Sequence, residues 1–387
     1  MYYIGIDISK FKHDCAVLDQ DGSILIPSRS FSNDCEGFSL LKEMLDSLDG
    51  EKRIGFESTG HYGHNLKLFL ESNNFTFMEF NAVLIKKFVR SKSLRRTKTD
   101  SIDAISIAYY IMTVDYKPVP SSFYHFEMLK SLTRFRENLI HQRSKYLIEI
   151  TNILDKVFPE FKPFFNGRFS ITALYILNNY PDPKRIMNLN SKSFENLHKI
   201  SRGKFKMTDF VQLKILAKNT VGHPEGFLLD ELKISLSIYS ALDEQVNTLT
   251  KQITKYINDI NPPVLSFPGI GPVSAATILS EFGDINRFDN PDKMLSYAGL
   301  EPSCFQSGCF EGSGHIVKHG STHLRYVIMN CAGQVIRYDE VFASFYMRKR
   351  NEGKHHTVAL THVAKKMIRV IYTLQTKNVS YDSSLIR

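Results

Sequence analysis

Four acidic residues have the side-chain types and the local settings of ligands for divalent metal ions. Asp7 lies inside the apolar run 2–8, and Glu57 ends a second run of this kind. Both runs are rich in residues that favour β-strands. Asp100 and Asp103 begin a stretch with the apolar spacing of a helix, and a separation of three residues places both carboxylates on one helix face. Four converging carboxylates can hold hard cations against a phosphodiester.

A simpler interpretation of the same acids is available. Asp100 and Asp103 could be first-turn residues that interact with a helix dipole, while Asp7 and Glu57 are solvated strand ends. This alternative does not explain why an acid lies within the apolar run 2–8, where its charge is costly to remove from water without a partner. We therefore favour a metal site.

The composition is that of a globular protein. The chain has 387 residues, of which 43% are hydrophobic and 23% are charged, enough for two or three domains. Its five cysteines lack the spacing of a disulfide framework, which favours a reducing compartment. The first residues do not have the pattern of a signal peptide, and no run approaches the roughly 20 apolar residues of a membrane span. These features predict a cytoplasmic protein.

The net charge of +9 is unevenly distributed. Residues 302–387 contain 12 lysines and arginines but 5 acids, which places +7 of the net charge in this segment. A second cluster contains seven basic residues and no acid and leads directly to Asp100: Lys86, Lys87, Arg90, Lys92, Arg95, Arg96 and Lys98. Such clusters are often only solvated surface. Beside a carboxylate cluster, they indicate nucleic-acid phosphates as the partner.

The order of predicted elements indicates a mixed sheet flanked by helices in the first part of the chain. An Asp21-Gly22 dipeptide between two apolar runs predicts a hairpin, and strand–helix units follow it. This order matches an α/β RNase H-like fold. We predict three domains: a catalytic RNase H-like domain at 1–118, a long helical region at 119–262, and a mainly α-helical C-terminal domain at 263–387.

Two long helices are predicted at 122–158 and 228–260, because apolar residues recur there at spacings of three and four. They could pair with each other or with another protomer as a coiled coil, or be core helices of one domain. The segment 159–226 between them contains several prolines and is predicted to be a helical insertion. Its function cannot be deduced from the sequence.

A Pro-Gly-Ile-Gly turn at 268–271 precedes a helix of small residues. It is similar to the hairpin of helix-hairpin-helix elements, in which backbone N–H groups can hold a DNA phosphate. Gly269 and Gly271 would then contact DNA, although a purely structural turn explains the motif equally well.

Five motifs, found in order from one end of the chain to the other, together resemble the IS-one-ten family of insertion-sequence transposases. They are Gly5-Ile6-Asp7, Glu57 with Thr59-Gly60, Thr97-Lys98-Thr99-Asp100-x-x-Asp103-Ala104, Pro268-Gly269-Ile270-Gly271, and Gly299-Leu300-x-Pro302 with Ser307-Gly308. No single motif is specific, but the combination is. Without this resemblance, Ser307 would be an ordinary turn serine beside a glycine.

The resemblance implies a recombinase. Asp7, Glu57, Asp100 and Asp103 would bind Mg²⁺ or Mn²⁺ in a RuvC-like domain, and Ser307 of the C-terminal transposase domain would attack DNA. It also implies target and donor DNA as substrates, a bridge RNA that pairs with both, and a homo-oligomer in which a dimer assembles into a tetramer. The carboxylates and the serine would meet across a subunit interface.

The histidines and cysteines near Ser307 support weaker hypotheses. His315, His319 and His323 have the spacing of helical metal ligands, but Gly320 interrupts them, and they could instead contact phosphate or transfer protons. Cys304 and Cys309 are a pair without the second pair of a zinc motif. Candidates for DNA backbone contacts in this region are Lys318, Arg325, Arg337, Arg348, Lys349 and Arg350.

Other functions fit parts of the pattern. A junction resolvase would use the same acids to activate water and would leave Ser307 idle. An actin-like ATPase shares this type of sheet, and residues 5–10 loosely resemble its first phosphate loop, but the second loop is missing and the basic C-terminus is unexplained. A non-catalytic nucleic-acid-binding protein is the remaining alternative.

Overall fold

The structure is a computed structural model that describes residues 1–57, 60–80, 84–85, 87–88, 100–118, 123–301, 306–307, 310–311 and 320–385. The chain divides into two compact units, 1–125 and 126–387. No helix in these described ranges is long and apolar enough to cross a membrane. The three predicted domain boundaries remain a prediction.

The first unit contains a five-stranded mixed sheet, as predicted. Its strands are β1 (Tyr2–Ile8), β2 (Lys12–Leu18), β3 (Ile24–Ser32), β4 (Lys52–Glu57) and β5 (Phe77–Phe80), in the order β3-β2-β1-β4-β5. The first three strands are antiparallel, whereas β4 and β5 run parallel to β1. The predicted turn is present, with Gly22 at a φ of 82° and the Asp19 carboxylate accepting a hydrogen bond from the Ser23 N–H.

Side-chain alternation gives this sheet two apolar faces. Ile4, Ile6 and Phe56 belong to a core that also includes residues of α1 (Cys35–Asp46) and α2 (His64–Ser72). Tyr3 belongs to a second core with Ile107 and other residues of α3 (Asp100–Thr113). The first core therefore occupies one face of the sheet, and α3 covers the other.

Two glycines allow α3 to lie directly on the sheet. Gly5 and Gly55 are register partners on β1 and β4. A Cβ atom on Gly5 would lie 2.2 Å from the Ala104 carbonyl oxygen and 2.4 Å from the Ala108 nitrogen, and one on Gly55 would lie 2.8 Å from Ile111 Cδ1. The helix backbone thus occupies the space that a side chain at position 5 would need.

The second unit is helical except for one short hairpin among its described residues. Two long helices, α4 (Phe123–Val157) and α10 (Gly226–Ile260), match the two predicted ones closely. Five shorter helices are described between them: α5 (Phe161–Phe164), α6 (Ile171–Asn179), α7 (Pro183–Met187), α8 (Ser191–Ile200) and α9 (Met207–Lys218). After α10 come α11 (Pro272–Phe282), α12 (Pro291–Tyr297), the hairpin β6 (Gln306–Ser307) and β7 (Phe310–Glu311), α13 (Thr322–Tyr338), α14 (Glu340–Asn351) and α15 (His356–Lys377).

Helices α4 and α10 pair with each other in antiparallel orientation. Arg136 Nε donates to Thr250 Oγ1 at 2.7 Å, and Arg143 Nη1 lies 2.5 Å from Asp243 Oδ1. One end of this pair belongs to the core of α5–α9, and the other end belongs to the core of the C-terminal helices. Phe135 of α4 is 53% exposed, because it lies one residue before Arg136, which takes the next heptad position after Leu129 and contacts α10.

The glycine contact gives a direct test of the first unit. We expect Gly5→Ala to lower the free energy of unfolding by about 3 kcal/mol, because the added methyl group meets backbone atoms that cannot rotate away. Urea titration followed by circular dichroism measures the change. Gly333→Ala is the control: an added Cβ atom there would meet no heavy atom within 4 Å, and the residue lies inside α13, so the variant should gain about 0.5 to 1 kcal/mol. Wild-type stability of Gly5→Ala would contradict the close packing.

Candidate active site

Asp7 and Glu57 lie at the same edge of the sheet. Strands β1 and β4 are parallel, and their register ends with Ile6 opposite Phe56, one residue before each acid. Because side chains alternate along a strand, Asp7 shares a face with Gly5, and Glu57 shares the same face with Gly55. Both acids are partly exposed. The sheet therefore directs two carboxylates from neighbouring strand ends to the side covered by α3.

The first turn of α3 reaches the same edge. Asp103 immediately precedes Ala104, whose carbonyl oxygen lies against Gly5, two residues from Asp7. Asp100 is the first residue of this helix, and its side chain lies outside the described residues. The packing of α3 thus places Asp103 next to the ends of the two strands.

Whether these residues fit a metal depends on the donor atoms. Among the side chains that the structure describes, no group of three histidines, cysteines or acids is arranged to hold a metal ion. Asp100 is not among them. A set of four carboxylates offers only oxygen donors, which are the ligands preferred by Mg²⁺ and Mn²⁺ rather than Zn²⁺. The chemistry of the set, if completed by Asp100, fits a hard divalent cation.

A fifth acid at this edge was missed by the sequence analysis. Asp14 on β2 is the register partner of Asp7, so the two side chains share a face of the antiparallel pair. Only 5% of Asp14 is exposed; Ser30 donates a hydrogen bond to its carboxylate, and Lys12 Nζ lies 3.5 Å away. Its position within the apolar stretch 13–18 was the available signal. Asp14 adds negative charge beside Asp7.

Ser307 lies in the segment 301–320, called here the serine segment, whose two ends are held together. Its backbone forms the hairpin with β7, while its side chain lies outside the described residues. At the far end of the segment, a Cβ atom on Gly320 would lie 2.1 Å from the Tyr297 carbonyl oxygen and 2.4 Å from the Gly299 nitrogen. Ser321 N–H also donates to the Tyr297 carbonyl at 3.3 Å. The chain therefore leaves α12 near 299 and returns to the same place at 320.

An ion pair to a buried glutamate fixes this return point. Arg134 of α4 donates to both oxygens of Glu281, through Nε at 2.6 Å and Nη2 at 2.9 Å, and Ser321 Oγ donates to Glu281 Oε2 at 2.8 Å. Glu281 is 1% exposed. Burial raises its pKa, but the hydrogen bonds from Arg134 and Ser321 outweigh burial and leave the pKa below its ordinary value. An acid inside the small-residue helix α11 was a signal that the sequence analysis did not use.

The remaining predicted residues are placed as follows. His323 Nδ1 lies 2.5 Å from Glu137 Oε2, so that nitrogen is engaged by a carboxylate. Arg325 Nη1 donates to the Ala298 carbonyl at 3.4 Å, at the base of the serine segment. Lys349 pairs with Glu352, and Lys87 is exposed. Nine of the predicted basic and histidine residues lie outside the described residues: Lys86, Arg90, Lys92, Arg95, Arg96, Lys98, His315, Lys318 and His319.

The Pro-Gly-Ile-Gly turn has a structural role at its first glycine. Gly269 has a φ of 84°, and a Cβ atom there would lie 2.8 Å from the Val335 nitrogen. Gly271 is the N-cap residue of α11, and a Cβ atom there would meet open space. The close packing explains Gly269 without DNA, whereas the open side of Gly271 is compatible with a phosphate contact.

The ion pair of the buried Glu281 makes stability depend on pH. Because the folded-state pKa of Glu281 is lowered, its contribution is present above the unfolded value of about 4.3 and is lost as the pH falls through the folded-state pKa. We expect Glu281→Gln to reduce the free energy of unfolding by about 2 kcal/mol at pH 7, and the difference from wild type to disappear in acid. Urea titrations at several pH values measure it. Glu352→Gln, which breaks an exposed pair, should show no measurable change. A deficit that persists unchanged in acid would contradict this role.

Comparison with known proteins agrees with the resemblance found in the motifs. A transposase model of the DEDD IS110 type matches residues 4–159, and a model of the IS116/IS110/IS902 transposase family matches residues 262–347. The chain is 24% identical to an uncharacterized 44.8 kDa protein of insertion element IS116 from Streptomyces clavuligerus, over 96% of this chain and 94% of that protein. It is 23% identical to a putative mini-circle transposase for IS117 from Streptomyces coelicolor, over 97% and 94% of the two chains. The two matched segments contain the carboxylate edge and the serine segment, and the chain belongs to the IS116/IS110/IS902 family of insertion-sequence transposases.

Proposed function

We propose that this transposase cuts and rejoins DNA strands through a covalent intermediate on Ser307, with divalent metal ions held by Asp7, Glu57, Asp100 and Asp103. The observation that carries the metal part is the register of β1 and β4, which brings Asp7 and Glu57 to one edge and one face. The strand order β3-β2-β1-β4-β5 supports an RNase H-like, RuvC-like domain. Family membership favours this recombinase over the actin-like ATPase.

The proposed chemistry conserves the number of phosphodiester bonds. The Ser307 hydroxyl loses its proton, its oxygen bonds to a DNA phosphorus, and the bond from that phosphorus to one deoxyribose oxygen breaks. The freed deoxyribose hydroxyl takes up a proton. A bound divalent cation would stabilise negative charge on the phosphoryl oxygens. In the reverse step a deoxyribose hydroxyl attacks the phosphoserine, so strands are rejoined without ATP.

The other partners rest on the family resemblance. A bridge RNA that pairs with target and donor DNA, and a dimer that assembles into a tetramer, belong to this proposal. So does the sharing of one active site between subunits. The basic residues near α3 and in the C-terminal helices would contact nucleic-acid backbones. The protein would act on DNA in the bacterial cytoplasm.

Removing a metal ligand should stop the chemistry without preventing DNA binding. We expect Asp7→Ala, Glu57→Ala and Asp103→Ala to reduce strand cleavage in Mg²⁺ by at least about 100-fold, since several kcal/mol of transition-state stabilisation are lost. Gel assays of cleavage and binding measure both activities. Asp46→Ala, an exposed acid of α1 paired with Lys42, should cleave normally. Cleavage by Asp7→Ala and Glu57→Ala at the wild-type rate would refute the metal site.

The covalent intermediate separates this mechanism from a resolvase that activates water. Ser307→Ala should abolish both cleavage and protein–DNA adducts on denaturing gels, whereas Ser303→Ala and Ser313→Ala should keep both. If the adduct persists in Ser307→Ala, another residue is the nucleophile, and Cys309 is the next to test. Cleavage without any adduct in the wild type would favour the resolvase.

A further inference from the structure

A cleft between α14 and α15 is lined by nine residues, of which four are lysine or arginine. Its volume of about 810 Å³ lies within the range of sites that hold sizeable ligands. The residues that can carry positive charge there are Arg348, His362, Lys365, Lys366 and Arg369, and Glu340 is the acid among the lining residues. Arg348 was predicted to contact DNA, whereas the four residues on α15 were not, because buried apolar residues interrupt them along that helix.

Two of these charges lie over one aromatic ring. Arg348 Cζ and Lys366 Nζ are each 5.1 Å from the centroid of Phe345. Burial and the neighbouring Arg369 lower the pKa of Lys365, and burial and Arg348 lower the pKa of Lys366. The pKa of His362 is lowered by burial and by Lys365. The cleft therefore concentrates positive charge that repels itself.

Nearby carboxylates neutralise only part of this charge. Arg369 Nη2 lies 3.0 Å from Asp292 Oδ1, and the buried Asp339 accepts a hydrogen bond from the Tyr381 hydroxyl. In the part of the chain that the structure describes, no carboxylate forms an ion pair with Arg348, Lys365 or Lys366. Three cations are thus available to one polyanionic ligand.

We propose that this cleft binds the phosphodiester backbone of duplex DNA. The inference rests on the proposed DNA chemistry and adds a defined binding surface to it. Phosphates would relieve the repulsion among the cations, and Arg348 and Lys366 could each donate to a phosphate oxygen. Sites for single strands usually offer open aromatic faces on which bases stack. Here cations cover the Phe345 ring, which favours backbone contacts that do not depend on sequence.

The test measures DNA binding without cleavage. Lys365→Gln/Lys366→Gln is compared with Lys255→Gln/Lys377→Gln, which removes the same charge from two exposed positions on α10 and α15. Fluorescence anisotropy with a labelled duplex in EDTA, over a range of salt concentrations, gives affinity and its salt dependence. We expect the cleft variant to bind about tenfold more weakly, with a salt slope smaller by about two, and the control to bind within twofold of wild type.

The proposal is overturned if the cleft variant binds DNA as tightly as the control does, or if its salt slope equals that of wild type. The same titration with an RNA of the same sequence gives a third test: a variant that loses affinity for the RNA but not for the DNA duplex would also overturn the proposal. Circular dichroism checks the fold, and the exposed Arg348→Gln, which should weaken binding about threefold, replaces the double variant if that variant is unfolded. The binding measurement needs neither a metal ion nor a nucleophile, so a negative result would not affect the Ser307 test. Conversely, the absence of a covalent adduct on Ser307 would not affect the binding result.

Discussion

The contact between the α3 backbone and Gly5 determines how the first unit presents its acids. Helices normally rest on sheets through layers of side chains, but here the Ala104 carbonyl and the Ala108 amide occupy the place of a side chain at position 5. Gly55, the register partner of Gly5, likewise leaves room for α3 on β4, because it also has no side chain. As a result the helix start lies beside the strand ends, and Asp103 approaches the edge that carries Asp7 and Glu57. A bulkier residue at position 5 would move the helix and the carboxylate together.

In the second unit, glycine packing and an ion pair hold the ends of the serine segment together. The segment from 301 to 320 begins and ends at the same point, where Gly320 packs against the backbone at Tyr297 and Gly299. The Arg134–Glu281 pair is buried on the glutamate side and connects this point to the long helix α4. A buried carboxylate is stable only with such donors, so the pair and the Ser321 hydroxyl depend on one another. The two ends of the segment that contains Ser307 are therefore held together on packed helices.

Charge is organised differently in the two proposed nucleic-acid regions. The cluster at 86–98 leads to the carboxylate edge along the chain, whereas the cations of α14 and α15 are brought together only by helix packing. In that cleft, burial and, to a smaller extent, the neighbouring cations lower the pKa of Lys365 and Lys366. Proteins tolerate such repulsion where a polyanion provides the missing charge, and the same reasoning explains why steep salt dependence is expected.

Much of this arrangement was predictable from the sequence because it depends on local patterns. Alternating and helical apolar spacings predicted the mixed sheet and the two long helices, and an acid within the run 2–8 identified Asp7 as unusual. The family motifs connected Ser307 to the acids, which no local pattern could do. The tertiary structure alone decided that Asp14 lies opposite Asp7, that Glu281 joins Arg134 to Ser321, and that Lys365 and Lys366 share a cleft with Arg348. These contacts join residues from different elements, and the packing that brings such elements together is a property of the whole fold and leaves no periodic signal in the chain.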